Sequence, residues 1–492
     1  MKHFYFILLA LSLSTPTWAQ QNNSRSITLD EAILRARTRS VDAAVALNEL
    51  KTAYWEYRTF RANLLPEVNF NATLPSFNKK YSSYQNNDGS YNFVRNDYMG
   101  LTGALSIDQN IWFTGGTLSL NTSLDFLKQL SGDRSRQYMS VPLALTWNQP
   151  IFGVNDTRWK RRIEPVKYKE AKANFLSATE EVTMTTINYF FNLLLAKENV
   201  STAKLNLNNA NKLYEVAKVK RQMGQISEND LLQLRLNVLR AKSTLTDYES
   251  TFKSNMFKLR SFLDIDEEVD LQPEAPEHVP HIDLAYQEVL SKARENNAFS
   301  LNVARRQLEA DYAVATAKGN LRKITLYAQL GFTGVDNRFS SAYRNLKDNQ
   351  VLEVGVKIPL IDWGKRRGQV KVAQSNREVT MSKLRQETMN FNQNIFILVE
   401  QFNNQQQQLA IAEEADTIAQ HRYRTNVQTF MVGKISTLEL NDSQSSKDSA
   451  RQKHINELFY YWYYYYQLRS LTLWDFEHNN NIDTDFEKMV KE

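Results

Sequence analysis

The chain has 492 residues, with 60 Lys+Arg against 54 Asp+Glu and a formal net charge of +6. So mild an excess over so long a chain leaves no nucleic-acid footprint, and the length allows a large core or several packed units. Fifteen glycines are few against a usual share of about 7%; with no cysteine at all, disulfides, thiolate metal sites, Cys nucleophiles and lipidated Cys are excluded.

Lys2 and His3 form a short basic start, Phe4 to Leu13 an apolar stretch, and Thr17-Trp18-Ala19 a small-x-small site before Gln20. Residues 1–19 read as a secretory signal peptide. The apolar run is far short of the ~20 residues that a spanning helix needs, and no later segment supplies that many. An exported chain of this kind enters a membrane only with strands.

An internal repeat organises the rest. A shift of 209 residues lays Pro150 on Pro359, Gly224-Gln225-Ile226-Ser227 on Gly433-Lys434-Ile435-Ser436, and Leu259-Arg260-Ser261 on Leu468-Arg469-Ser470. An earlier part repeats at 256, placing Leu65 on Leu321 and Val68 on Ile324, so the first copy holds 47 extra residues between about 66 and 150. The first repeat, 20–263, reads as a helix over 28–62, strands over about 67–149, a long helix over 158–222 and a helix over 228–262. The second, 283–470, reads as a helix over 283–320, strands over about 323–359, a long helix over 367–431 and a helix over 437–470. A link, 264–282, and a tail, 471–492, remain. Each long helix spans on the order of 100 Å, and its small, interrupted apolar positions suit coiled-coil packing beside water.

Between the helices the chain alternates with a period of two. Val68, Phe70, Ala72 and Leu74 interleave with Asn69, Asn71 and Thr73; Leu118, Leu120, Leu124 and Phe126 interleave with Ser119, Asn121, Ser123 and Asp125. The same holds for 141–148, 324–330 and 352–358, and Leu101, Leu105, Ile107 and Ile111 give a sixth strand. A soluble β-sandwich alternates equally well. Two features favour an outer-membrane barrel: Trp112, Phe113, Trp147, Phe152 and Trp363 collect at strand ends like an interfacial girdle, and 76–97 reads as a long polar extracellular loop. Too few strands are present to close a barrel with a usable lumen, so an oligomer must complete it.

Five short segments punctuate this plan: Ile27-Thr28-Leu29-Asp30-Glu31-Ala32, Leu64-Leu65-Pro66 entering a strand, Gln149-Pro150-Ile151-Phe152 and Ile358-Pro359-Leu360-Ile361 leaving strands, and the turn Val432-Gly433-Lys434-Ile435-Ser436. In this order, twice over and joined to long helices, the sequence resembles the TolC family of outer-membrane efflux proteins. The resemblance implies an α+β membrane protein in the bacterial outer membrane: a homotrimer with one shared β-barrel, continuous with a long periplasmic α-helical barrel. It implies an equatorial region, here the link 264–282 and the tail 471–492. It also implies docking of a periplasmic adaptor and of an inner-membrane pump of the RND or ABC type and contact with outer-membrane lipid. The charge balance and the lack of catalytic, metal or phosphate-binding motifs in turn lead us to expect no nucleic acid, cofactor, metal or enzymatic activity. The alternative is a non-conducting periplasmic coiled-coil scaffold. Family members give four strands per protomer; here a hairpin near 99–126, around Thr114-Gly115-Gly116, either makes six or folds over the mouth.

The residue types themselves offer few sites. Pro150 and Pro359 suit strand-to-helix bends, since proline fixes φ and ends ladder pairing. His278 and His281 lack the companions of a zinc site. The turns at Gly224, Ser227, Gly433 and Ser436 are the candidate adaptor-docking tips. Ser227 with Asp230 and Ser436 with Glu439 match the capping pattern for a helix start. Glu439 and Asp442, at i, i+3 on one face, also occupy the positions where the resemblance places acidic residues lining the periplasmic aperture; three-fold symmetry makes such a pair two acidic rings that favour cations. The aromatic run Phe459–Tyr466 reads as interhelical packing, and the glutamines 405–408 as a solvated helix face.

Overall fold

The structure, a computed structural model, describes residues 24–130, 134–276, 279–322, 324–356, 361–432 and 434–491. The expected signal peptide, His278, Pro359 and Gly433 lie outside the described residues.

The chain opens with β1 (Ser24–Ile27), α1 (Leu29–Arg39) and α2 (Val41–Ala62), then four strands, β2 (Glu67–Gln85), β3 (Tyr91–Ile111), β4 (Gly116–Gln129) and β5 (Arg136–Ile151). Next come α3 (Asp156–Gln222), α4 (Glu228–Phe262) and β6 (Asp270–Pro273). The second half repeats the plan with α5 (Tyr286–Asn296), α6 (Ala298–Gly319), β7 (Ile324–Asp336), a helical turn α7 (Phe339–Ala342), β8 (Leu346–Val356), α8 (Lys365–Met431) and α9 (Thr437–Thr472). The chain ends with β9 (Trp474–Asp475), β10 (Asn480–Asn481) and α10 (Phe486–Lys491).

The helices expected as single rods over 28–62 and 283–320 are each two helices. Ser40 breaks the first: its amide closes α1 on the Ala36 carbonyl at 3.0 Å, and its hydroxyl caps α2 by accepting from the Ala43 amide at 3.2 Å. Asn297 breaks the second, its side chain accepting from the Phe299 amide at 2.7 Å. Ser and Asn compete with the helical backbone in this way, and the Ala- and Leu-rich residues around them conceal it. Both copies carry the same lengths, 11 and 22 residues, and α3 and α8 are each 67 residues long.

Among the described residues, six strands form one antiparallel sheet in the order β2-β3-β4-β5-β7-β8. The extra chain of the first copy therefore lies inside the sheet and does not cover its mouth. Register assigns Val68, Phe70, Leu105, Ile107, Leu118, Leu120, Leu145, Trp147, Leu330 and Leu352 to one face, and Asn69, Asn71, Ser106, Asp108, Ser119, Asn121, Thr146 and Gln329 to the other. Two bulges interrupt the alternation. Leu74 and Pro75 together oppose Leu101, and a second irregularity falls between Ser140 and Leu143 at Pro142. A proline, lacking an N–H, costs least at such a site. The first bulge rephases β2, so that Phe77 and Tyr81 rejoin the face of Val68 and Phe70. For this reason 76–97, expected as a loop, is strand; only 86–90 turns, with Gly89 at φ 83° and Asp88 accepting from the Ser90 amide at 3.0 Å.

Aromatic residues mark both ends of the apolar face. Trp112, Phe113, Trp147 and Phe152 sit where the sheet meets the helices, with the Arg161 guanidinium 3.9 Å from the centre of the Trp112 ring. At the far end Phe126, Tyr138, Phe339 and Tyr343 touch in series, with centroids 5.0 to 6.0 Å apart. There α7 lies on the apolar face: the Ser140 hydroxyl donates to the Ala342 carbonyl at 2.7 Å. Gly334 lies directly under that carbonyl, where no Cβ would fit.

Below the sheet, α2, α3, α6 and α8 pack side by side, laced by Arg305 to Glu170 (2.6 Å), Arg306 to Glu387 (2.6 Å) and Arg377 to Asp311 (2.6 Å). The main core lies at mid-height, where α1, α5, the middles of α3 and α8 and the C-terminal parts of α4 and α9 converge around Ile187, Phe190, Leu259, Ile395, Phe402, Tyr461 and Leu468. The link and the tail are fastened to this core. β1 pairs in parallel with β6, the Gln406 side chain accepts from the Ile282 amide at 3.3 Å, and that of Asn403 accepts from the Leu284 amide at 3.2 Å. Gln405 is buried and donates to the Glu457 carboxylate at 2.6 Å, so the glutamine run is largely structural, not a solvated face. Phe402 packs on both Tyr461 and Tyr465 at the centre of this core. Phe402→Ala is expected to cost about 3–5 kcal/mol through the cavity it leaves, read as a lowered thermal midpoint in detergent.

Candidate functional site

The far tip of the helices, the end remote from the sheet, holds most of the residues that the sequence singles out. α3 ends where Gly224 takes φ 74° and the Gln225 amide donates back to the Lys220 carbonyl at 2.9 Å, a left-handed stop that glycine makes without strain. Ser227 then opens α4: the Asp230 amide donates to its hydroxyl at 3.1 Å, and its own amide donates to the Asp230 carboxylate at 3.2 Å. The second copy repeats the device at α9. The Glu439 amide donates to the Ser436 hydroxyl at 3.3 Å, and the Ser436 amide donates to the Glu439 carboxylate at 2.8 Å. A small apolar cluster of Leu213, Ala217, Leu234, Tyr423 and Leu440 holds the two turns against each other.

Glu439 and Asp442 share a face of α9 and are exposed, but each carboxylate has its own partner. Glu439 folds back onto Ser436, whose amide and then hydroxyl hold its carboxyl below the ordinary value of 4.5. Asp442 accepts from the Arg422 guanidinium of α8 at 2.6 Å. The structure thus places the two acids together while splitting their roles: one caps its own helix, and the other ties α9 to α8.

Behind them runs a polar ladder that no motif in the sequence announces. Asn206 of α3 donates to Asp448 at 2.8 Å and Asn209 donates to the Tyr423 hydroxyl at 3.1 Å. The Lys447 ammonium stands 4.6 Å from the centre of the Tyr423 ring. Higher still, Arg451 reaches Asp416 at 3.1 Å and Glu198 at 3.2 Å. Lys447 and Arg451 at i, i+4 were the available signal, hidden because their partners lie on other helices. Beside the ladder, α3, α4 and α9 enclose a cleft of about 360 Å³ lined by Asn199, Asn206, Asn237, Arg240, Gln444 and Asp448.

The remaining candidates fall elsewhere. Pro150 does not end the ladder: it is paired with Thr325, and β5 continues to Ile151. The chain bends two residues later, at Phe152 (φ 61°), before Asn155 caps α3 by accepting from the Arg158 amide at 2.9 Å. By then β4 has ended as a partner, at Thr117, which makes the missing N–H harmless. In the aromatic run, Tyr461 and Tyr465 are fully buried, Tyr465 donating to Asp475 at 2.9 Å, and burial pushes the Tyr466 phenol up to about 12. Among the described residues no three His, Asp or Glu side chains gather as a metal site, and no helix is long and apolar enough to cross a membrane.

Comparison with known proteins gives these features a context. The family model described as "Outer membrane efflux protein" matches residues 32–263 and 289–458. The Campylobacter jejuni CmeC outer membrane channel superposes with a TM-score of 0.66 at 15% identity, covering 94% of this chain and 88% of that one. The outer membrane protein VceC of Vibrio cholerae gives 0.62 at 15% identity, with 92% and 97% covered. The open state of the Neisseria gonorrhoeae MtrE outer membrane channel gives 0.60 at 13% identity, with 93% and 91% covered. At such identities these likenesses establish the fold. No curated protein matches by sequence search.

The capping box at Ser436 has a pH signature. Because the Glu439 carboxyl is held low in the fold, its contribution is complete above about 4.5 and is lost as pH falls through the lowered value. Amide-exchange protection at Ser436 is expected to drop over that acid range in the native chain, and to be low and insensitive to pH in Glu439→Ala.

Proposed function

The chain belongs to the outer membrane efflux protein family, and from that premise we propose that it is the passive exit duct of a tripartite export machine. It lies in the outer membrane with its helices in the periplasm. In our reading it passes small molecules or proteins outward, and an RND or ABC-type inner-membrane pump supplies the energy through a periplasmic adaptor. The observation that carries this reading is the sheet: one face apolar over a full membrane thickness, the other polar, and two open edges, β2 and β8.

Those edges support a homotrimer. Six alternating strands put β2 and β8 in opposite senses, so β8 of one copy meets β2 of the next in antiparallel register and the ring closes. Three copies of six strands make eighteen, in the range where barrels hold an aqueous channel rather than a filled core. The Asn- and Ser-rich face then lines water. The turns at Gly224–Ser227 and Lys434–Ser436 become paired knuckles around the periplasmic mouth, and we assign adaptor docking to them. Around the axis, Glu439 and Asp442 form two acidic rings with Arg422 beside the second.

Two experiments test this. The chain has no cysteine of its own, so single cysteines on the polar faces of β2 (at Asn71 or Thr73) and β8 (at Val351 or Glu353) report only on each other. At least one pairing is expected to give a covalent trimer on a non-reducing gel; monomer from every combination overturns the closed ring. In planar bilayers the purified protein is expected to conduct and to prefer cations, and Glu439→Ala with Asp442→Ala is expected to lower the cation/anion permeability ratio by about two-fold or more. An unchanged ratio removes the acidic rings, and absence of conductance favours the non-conducting scaffold.

A further inference from the structure

We infer that the apolar face of the sheet ends in a built site for the phosphate groups of lipid A, the phosphorylated glycolipid of the outer leaflet, with Lys128 and Arg136 at its centre and Lys79 beside them. The inference rests on the outer-membrane reading and adds a ligand to it. From Leu118, paired with Trp147, to Phe126, paired with Tyr138, β4 runs eight residues, about 26 Å of strand and about 20 Å of height at a barrel strand's ~40° tilt. The next outward-facing row, about 5 Å higher at that tilt, runs Phe77–Met99–Lys128–Arg136 across four strands, and Lys79 stands one row above on β2. That brings Lys128 to the rim of the ~25 Å apolar band of an outer-membrane barrel. This is the height at which a lipid's headgroup begins.

Lys128 and Arg136 are direct cross-strand neighbours. Like charges in that position repel each other, and neither they nor Lys79 has a hydrogen-bond or ion-pair partner among the described residues. The nearby Arg95 is already neutralised by Asp97 at 2.7 Å. Among the described residues Lys128 and Arg136 stand side by side without a counter-ion, and Lys79 lies one row up across from Asp97, which Arg95 already engages. A pair of cations beside a hydrocarbon boundary suits an anion that arrives from the lipid side, and a phosphate monoester accepts from both a guanidinium and an ammonium. The inward face at the same height argues against cations placed merely for solubility. There Asn78, Tyr98 and Gln129 share one row and Leu127 and Gln137 the row below, all uncharged, and Lys80 is one row further up.

The test uses the full-length trimer in neutral detergent, with native mass spectrometry reading retained lipid. The probes are bis-phosphorylated lipid A, the same lipid dephosphorylated, and phosphatidylglycerol. The native trimer is expected to retain the bis-phosphorylated form. Retention is expected to fall about tenfold with dephosphorylated lipid A or in Lys128→Gln with Arg136→Gln, and to be unchanged in the inward-facing Lys80→Gln. Equal retention by the double variant, or of the dephosphorylated lipid, overturns the site. Equal retention of phosphatidylglycerol does so as well, by reducing it to general anion attraction. Each variant is first shown to migrate as a trimer and to conduct. A conducting trimer that ignores lipid A refutes this inference alone, whereas loss of conductance in the native protein refutes the duct.

Discussion

A backbone placed in hydrocarbon must satisfy every N–H and C=O internally, and a sheet with a free edge cannot. Much of this chain answers that demand. The two repeats bring four and two strands to one six-stranded sheet, so neither half is complete alone. The even total lets identical copies join edge to edge without a parallel seam. The polar and apolar faces separate through the part of each ladder nearer the helices, and where a proline threatens the alternation, at Pro75 and Pro142, a bulge absorbs it. The 47 extra residues of the first copy are tolerated for the same reason: they enter as a pair of strands.

The sheet is joined to its helices by residues that leave the ladder abruptly. Phe152 and Trp363 take φ 61° and 52°, followed by Gly153 and by Gly364 at φ 81°. Both are bulky residues in a left-handed conformation that usually costs about a kcal/mol or more, and both carry their rings to the membrane-helix boundary. Away from the mid-height belt, among the described residues, no continuous dry core runs along the 67-residue rods. Ion pairs between α3, α6 and α8 and the polar ladder between α3, α8 and α9 hold them together beside water, while apolar packing is concentrated at mid-height. There Asn403 and Gln406 clip the link to α8, and Glu180, fully buried, accepts from Arg37 at 2.7 Å with Arg469 within 3.5 Å. The belt at mid-height is therefore the part of the periplasmic tube that behaves as an ordinary globular domain.

Much of this was legible in the sequence because the repeat constrains it. An offset of 209 residues held without insertion requires two long helices of equal length, and the structure has them. The misreadings share a cause: a local event that resets a period. The bulge at Leu74–Pro75 shifts the two-residue alternation of β2 by one, so Phe77 and Tyr81 looked irregular and 76–97 passed for a loop. Ser40 and Asn297 turn the chain between helices with one side-chain acceptor each, inside stretches whose Ala and Leu continue the helical spacing. Gln405 and Gln406 look like solvent residues by type; what buries them is the arrival of α9 and of residue 282, sequence-distant partners that no local pattern records.

The acid pair shows the same limit in a more consequential form. Its spacing on α9 was readable, but Arg422, twenty positions earlier on α8, was not. The repeat supplies an internal control for this contact. Shifted by 209 residues, Arg422 becomes Leu213 and Asp442 becomes Gln233, whereas Glu439 becomes Asp230 and Tyr423 becomes Tyr214. The cap is thus common to both halves, while the guanidinium–carboxylate tie belongs to the second alone, and Leu213 in its place is buried in the tip cluster. A feature required only to fold the turn should appear twice, as the capping boxes do. The Arg422–Asp442 pair appears once, on exposed side chains where an ion pair contributes little to stability. Folding alone therefore leaves it unexplained, and that is what supports our proposal that Asp442 faces the mouth of the duct, where threefold symmetry repeats it once per protomer.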